Sequence, residues 1–203
     1  MNTVVSLLHC TLAQIDQANL QDPNQAEFEG RLQAKEYIYS QHMTRWLFNL
    51  EANPSELMQI ACRAQHLERW TIARNTYPEG RAAYYQWRKA CNIMHGQRAA
   101  EIMAQCGYSE QDCQHVATVI SKRELRQDAD TQLLEDVACL VFLERYFAEF
   151  FEQKPDYDEE QWLRIVRRTW DKMSDRAHNA ALELAGSLPE HLLALVQKAI
   201  KEN

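Results

Sequence analysis

"LLEDVACLVFLERYFAEFF", residues 133–151, is apolar on nearly every side of a helix expected to run from about Asp130 to Glu152, and such a pattern predicts a buried central helix rather than a surface one. The same period governs the rest of the chain. Apolar residues recur three and four apart almost throughout, β-branched alternation is nearly absent, and only five Gly and five Pro punctuate 203 residues. The expectation is an all-α, single-domain helical bundle of about eight or nine helices, because a chain this long and 46% hydrophobic supports one full core and hardly two.

Working outward, the first helix is predicted from about Thr3 to Asn19, and "DPNQAEFEGRLQ" (22–33) reads as a loop. A second helix carries "AKEYIYSQHMTRWLFNLE" (34–51). Asn53-Pro54-Ser55-Glu56 is a helix start with Asn as N-cap and Pro at the first turn, so a third helix is expected through "SELMQIACRAQHLERW" (55–70). "TIARNTYPEG" (71–80) breaks the pattern, and Gly80 leads into a long helix stopped by Gly107. Ser109 and Asp112 cap a fifth helix. Pro155 ends the central helix, "DEEQWLRIVRRTWDKM" (158–173) forms an amphipathic one, and Ser174 and Ser187 cap two short final helices.

A formal charge of -7 and a pI near 5.5 argue against a nucleic-acid partner, which needs a large basic excess on one face. No stretch has the length of a membrane span or the layout of a leader. The six cysteines sit in apolar helical patterns without a Cys-x-x-Cys pair, which suggests reduced thiols and a cytoplasmic protein without a zinc knuckle or redox motif. Phosphate-loop, dinucleotide, serine-hydrolase and zinc-protease signatures are absent.

Three residues stand out chemically. Asp136 shares a helical stripe with Leu133, Leu140 and Leu143, and a core-facing carboxylate requires a metal, an arginine, a histidine or a set of donors. His42 neighbours Ile38, Arg45 and Trp46, and His66 neighbours Cys62, Arg63, Arg69 and Trp70. Each histidine fits either packing between helices or a shared site with Asp136.

Their order, a helical His, a second helical His about two dozen residues on, and a helical Asp after a long gap, resembles the HD-domain superfamily of metal-dependent phosphohydrolases. The resemblance covers about 35–150, with the helices of 158–202 packing on that core. It implies His42, His66 and Asp136 as ligands of a divalent ion: Mg, Mn, Fe, Ni or Zn. Leu67 stands where that superfamily has the Asp of its His-Asp doublet. Leucine cannot bridge two ions, and Glu68, two positions along a helix, points about 200° from His66. A single-ion site or none remains. The whole chain more closely resembles an uncharacterised domain-of-unknown-function family, number forty-two-zero-two, through "YSQHMTRWL", "RAQHLERW", "YPEGRAAYYQWR", "LEDVACLVFLE" and "TWDKMS". That resemblance carries no activity.

Around "RAQHLERW" and "YPEGRAAYYQWR" arginines concentrate. Arg81, Arg88 and His95 are spaced by seven beside Tyr84, and Arg63, Arg69 and Arg74 precede them. Planar guanidinium forks suit a phosphate or carboxylate, so these residues make a candidate anion site with aromatic walls. The alternative is ordinary surface pairing with the 29 acidic residues. Two functions follow. One is an HD-like hydrolase of a small phosphorylated or anionic metabolite, a nucleotide among them, with one metal ion on His42, His66 and Asp136 and with His95 or Glu135 moving a proton. The other is a degenerate HD-like domain, without metal, that binds an anionic metabolite or a protein partner. An iron-dependent oxygenase of HD type would need further histidine ligands.

Overall fold

The computed structural model describes residues 6–185 and 188–201; residues 3–5, expected to open the first helix, and Ser187, expected to cap the last, lie outside them. Among the described residues there are ten α-helices and one antiparallel pair of strands, and the chain divides into two compact units, Met1–Leu134 and Glu135–Asn203. None of these helices is long and apolar enough to cross a membrane.

In the first unit, α1 (Leu7–Asn19) opens at Ser6, whose Oγ accepts from His9 N at 3.2 Å. The segment expected as a loop is a hairpin, β1 (Gln25–Phe28) against β2 (Arg31–Ala34). Its turn residues Glu29 (φ 52°) and Gly30 (φ 74°) are both left-handed, and that pairing matches the twist of a two-residue hairpin. Each strand alternates polar and apolar residues, Gln-Ala-Glu-Phe and Arg-Leu-Gln-Ala, but four residues are too short a run to stand out from a loop. Asp22 then anchors α2 (Lys35–Leu50): its Oδ1 accepts from Asn24 N at 2.9 Å and its Oδ2 from Glu36 N at 3.1 Å. It thereby replaces the cap that Ala34 has no side chain to supply.

Helix α3 (Glu56–Arg63) starts at Ser55, whose Oγ accepts from Met58 N at 3.2 Å, and not at Asn53. It also ends seven residues before the expected Trp70. Beyond Arg63 the backbone closes tighter bonds, Leu67 N to Ala64 O and Arg69 N to His66 O, both 3.0 Å, and Glu68 is left-handed at φ 56°. This turn swings Leu67 into full burial, which a continued helix, with its fixed 100° step, need not do. Two 3-10 turns follow, Arg69–Thr71 and Arg74–Thr76.

Helix α4 (Arg81–Cys106) runs between the two expected glycines. At its end Tyr108 N bonds Met103 O and Gly107 N bonds Ala104 O, both 3.1 Å, with Gly107 at φ 101°; this is the Schellman stop that glycine favours. Helix α5 (Glu110–Ser121), capped by Ser109, packs on α4. The approach is close because Gly96 has no Cβ: one added there would lie 2.7 Å from Ala117 O. Gly96→Ala is expected to lower stability by about 1–3 kcal/mol despite its better helix propensity. The midpoint of urea unfolding reads this, and an unchanged midpoint would refute the close approach.

In the second unit the expected helix to Glu152 is interrupted. Helix α6 (Ala129–Val141), which contains the boundary between the units, leads to a π-helical turn, Phe142–Tyr146, and then to α7 (Phe147–Glu152). A π turn inserts one residue and so rotates the following face. Aromatic and aliphatic residues on every side tolerate that rotation, and Phe147 lands fully buried with its ring 6.2 Å from Trp162. Trp162 lies on α8 (Glu159–Trp170), which opens with a capping box between Asp158 and Gln161. Helices α9 (Asp175–Ala185) and α10 (Glu190–Lys201) complete the unit, with α10 packed on α8.

The cysteine expectation needs correction. Cys10 of α1 and Cys106 of α4 are joined by a disulfide across 96 positions, a separation at which no local spacing signals pairing. Cys62, Cys91, Cys113 and Cys139 are free and buried.

Candidate functional site

The turn after α3 presents His66 to the first turns of α2. Tyr39 stacks on its ring at 4.0 Å and 10°. Glu36 Oε2 lies 3.2 Å from Nδ1, while Arg69 Nη1 lies 2.7 Å from Nε2 and 3.1 Å from Nδ1. One tautomer satisfies both Glu36 and the shortest Arg69 contact: Nδ1–H donates to Glu36 and Nε2 accepts from Arg69. Burial first, then the neighbouring charges of Arg69, Lys122 and Arg88, holds His66 well below the usual histidine range. Burial also raises Glu36 to about 7, against the pull of Arg69, His95 and Lys35. The His66–Glu36 contact is therefore a hydrogen bond with a neutral imidazole rather than a salt bridge, despite its ion-pair distance.

His95 projects from α4 into the same neighbourhood, its ring centroid 5.9 Å from that of His66. Its Nδ1 donates to Leu67 O at 2.6 Å, so the lone pair resides on Nε2. The left-handed turn that buries Leu67 is thus what orients its carbonyl on His95. Glu36 and Tyr39 were not anticipated. They are three apart and so share one face of α2, but their burial comes from residues some thirty positions away along the chain.

Of the six candidate anion-binding residues, the five arginines fall into two groups, and Tyr84 is one of the rings beside them. Arg63 is committed internally: Nε and Nη2 donate to the two oxygens of Asp16 at 2.7 and 3.0 Å, and Nη1 donates to Gln41 and Thr44 at 3.0 and 2.9 Å. Arg74 donates to Tyr77 O and Pro78 O, both 3.0 Å, and pins its own loop. Arg69, Arg81 and Arg88 instead have no carboxylate partner among the described residues and lie over aromatic rings: Trp87 at 4.9 Å, Tyr85 at 5.6 Å and Tyr84 at 5.9 Å. Trp87 is itself fixed by its Nε1–H to Ile72 O at 2.8 Å.

The residues named as metal ligands have other engagements. His42 is buried with its ring edge-on to Phe28 at 5.3 Å. In the second unit Asp136 accepts from Ser174 N at 2.8 Å and from Ser174 Oγ at 2.5 Å, and so anchors the residue whose Oγ accepts from Ala177 N at 3.4 Å in the first turn of α9. Glu135, also in that unit, is 3.2 Å from Lys172 Nζ. A metal on His66 would need a ring-nitrogen lone pair. The only one left by this tautomer faces a guanidinium, a like charge at the position a cation would take, so His66 does not fit that role. Among the described residues no three His, Cys, Asp or Glu side chains are grouped to hold an ion.

Residues 9–196 match the family model described as Domain of unknown function (DUF4202). No curated protein and no solved structure matches the chain.

Proposed function

We propose that this chain, which belongs to the family described as Domain of unknown function (DUF4202), binds a small phosphorylated or carboxylated metabolite at the arginines beside His66. The observation that carries the proposal is that Arg69, Arg81 and Arg88 have no carboxylate partner among the described residues, in a chain of net charge -7 where acidic side chains outnumber basic ones. Arg69 spends one donor on His66 and keeps the others for an oxyanion. The neutral His66 and the partly neutralised Glu36 do not cancel that positive charge. On this reading an HD-like helical framework serves binding, and metal-dependent hydrolysis is the branch set aside.

Calorimetric titration of the full chain with inorganic phosphate and pyrophosphate tests the proposal. Saturable binding is expected, with Arg69→Ala and Arg88→Ala each weakening it about tenfold or more, the scale of a charged hydrogen bond. Absence of binding to any anion would sink the reading. Near-stoichiometric uptake of Mg, Mn, Fe, Ni or Zn that disappears in His66→Ala would replace it with the metal-hydrolase one.

A further inference from the structure

We propose that the ligand of this arginine site is a mononucleotide, with its base stacked on Tyr84 and its phosphate on Arg88 and Arg81. The inference rests on the anion-binding reading above and adds the identity of the rest of the ligand. Four residues of one helical stretch supply the geometry: Arg81, Tyr84, Tyr85 and Arg88, at the start of α4.

Tyr84 is 40% exposed and Tyr85 47%, although both are large rings in a chain that buries most of its aromatic surface. Tyr84 is held in place by neighbours, with Trp87 tilted at 5.8 Å and Tyr85 edge-on at 5.9 Å. It therefore offers a platform that costs little ordering entropy to use. The guanidinium of Arg88 lies 5.9 Å from the Tyr84 ring centre and that of Arg81 lies 5.6 Å from the Tyr85 ring centre. Each exposed ring thus has over it a cation with no carboxylate partner among the described residues. A ligand with a flat aromatic part and an anionic part joined by a short linker uses both features, and a nucleoside 5′-monophosphate has that layout with ribose as the linker. Inorganic phosphate or a small carboxylate would leave the rings unused. A long polynucleotide would bring more negative charge than these arginines offset, against a net charge of -7.

The test is calorimetric titration of the full chain with inorganic phosphate, ribose 5-phosphate, adenosine 5′-monophosphate and a single-stranded oligonucleotide. Adenosine monophosphate is expected to bind about tenfold tighter than ribose 5-phosphate, as base-on-aromatic stacking gives. Tyr84→Ala should erase that difference without moving the phosphate affinity, and Tyr84→Phe should preserve it. Alanine suits an exposed helix position, so folding is not at stake. Equal affinity for the nucleotide and the sugar phosphate, or an equal loss for both in Tyr84→Ala, would overturn the inference while the anion site stands. An oligonucleotide that binds more tightly per site than the mononucleotide would also overturn it. If no anion binds at all, the underlying reading fails first.

Discussion

In Arg63→Ala the unfolding free energy is expected to fall by about 3–5 kcal/mol, the range for removing one member of a largely buried charged pair. Arg63 ties three helices together: α1 through Asp16, α2 through Gln41 and Thr44, and its own α3. The two charged side chains are only 13% and 23% exposed, so truncation leaves the Asp16 carboxylate with neither a partner nor full hydration. Gln41 would lose its acceptor contact as well, and its Nε2 is already a buried donor with no hydrogen-bond partner among the described residues. Arg63→Lys keeps the charge but not the fork and should recover part of the loss. Denaturation midpoints measure both variants. Wild-type stability in Arg63→Ala would contradict the network, and phosphate affinity that falls in Arg63→Lys would return this residue to the anion site.

The second large effect depends on pH. Burial, then the nearby His66, pushes His95 down to about 3 from 6.5, although its bond to Leu67 O acts in the opposite direction. The unfolded chain then takes up the proton first. His95 therefore contributes stability that is complete above pH 6.5 and lost as pH falls toward 3, about 5 kcal/mol at 1.36 kcal/mol per unit. His66, also lowered, acts in the same sense. Glu36 opposes them: with its pKa raised from 4.5 to about 7, it favours the folded state in acid and costs stability as pH rises through that window. Between pH 4.5 and 6.5 the contributions partly cancel. Glu36→Gln should steepen the acid loss of stability in that interval, and His95→Asn, which can still donate to Leu67 O, should flatten it. Unfolding curves collected across pH 4 to 8 decide the matter, and a wild-type slope unchanged in both variants would contradict the assigned burial.

The extent of α4 was legible because glycine stands at both ends and a long apolar period lies between them. The start of α5 at Ser109 was legible for the same local reason. Where the sequence misled, the decision was tertiary. "RAQHLERW" has helical spacing, yet the burial of Leu67 and the left-handed Glu68 turn it out of the helix after Arg63. A separation of about 200° between Glu68 and His66 holds only on a continued helix, and the helix ends at Arg63. Arg63 and Arg74 looked like their neighbours in composition, and only their partners separate an internal clamp from an available cation. Glu36 carried no signal beyond its three-residue spacing to Tyr39, since its chemistry arises from what folds over it.

The disulfide between Cys10 and Cys106 closes a covalent ring, and every residue of the candidate site, from Glu36 to His95, is a link within it. A single backbone cut inside that ring, at the exposed 71–80 segment for example, opens the ring without releasing a fragment. The two sides of the site stay joined through sulfur until a reductant parts them. Site integrity thus depends on two independent connections, one peptide and one disulfide, and only the loss of both separates α2 and the His66 turn from α4.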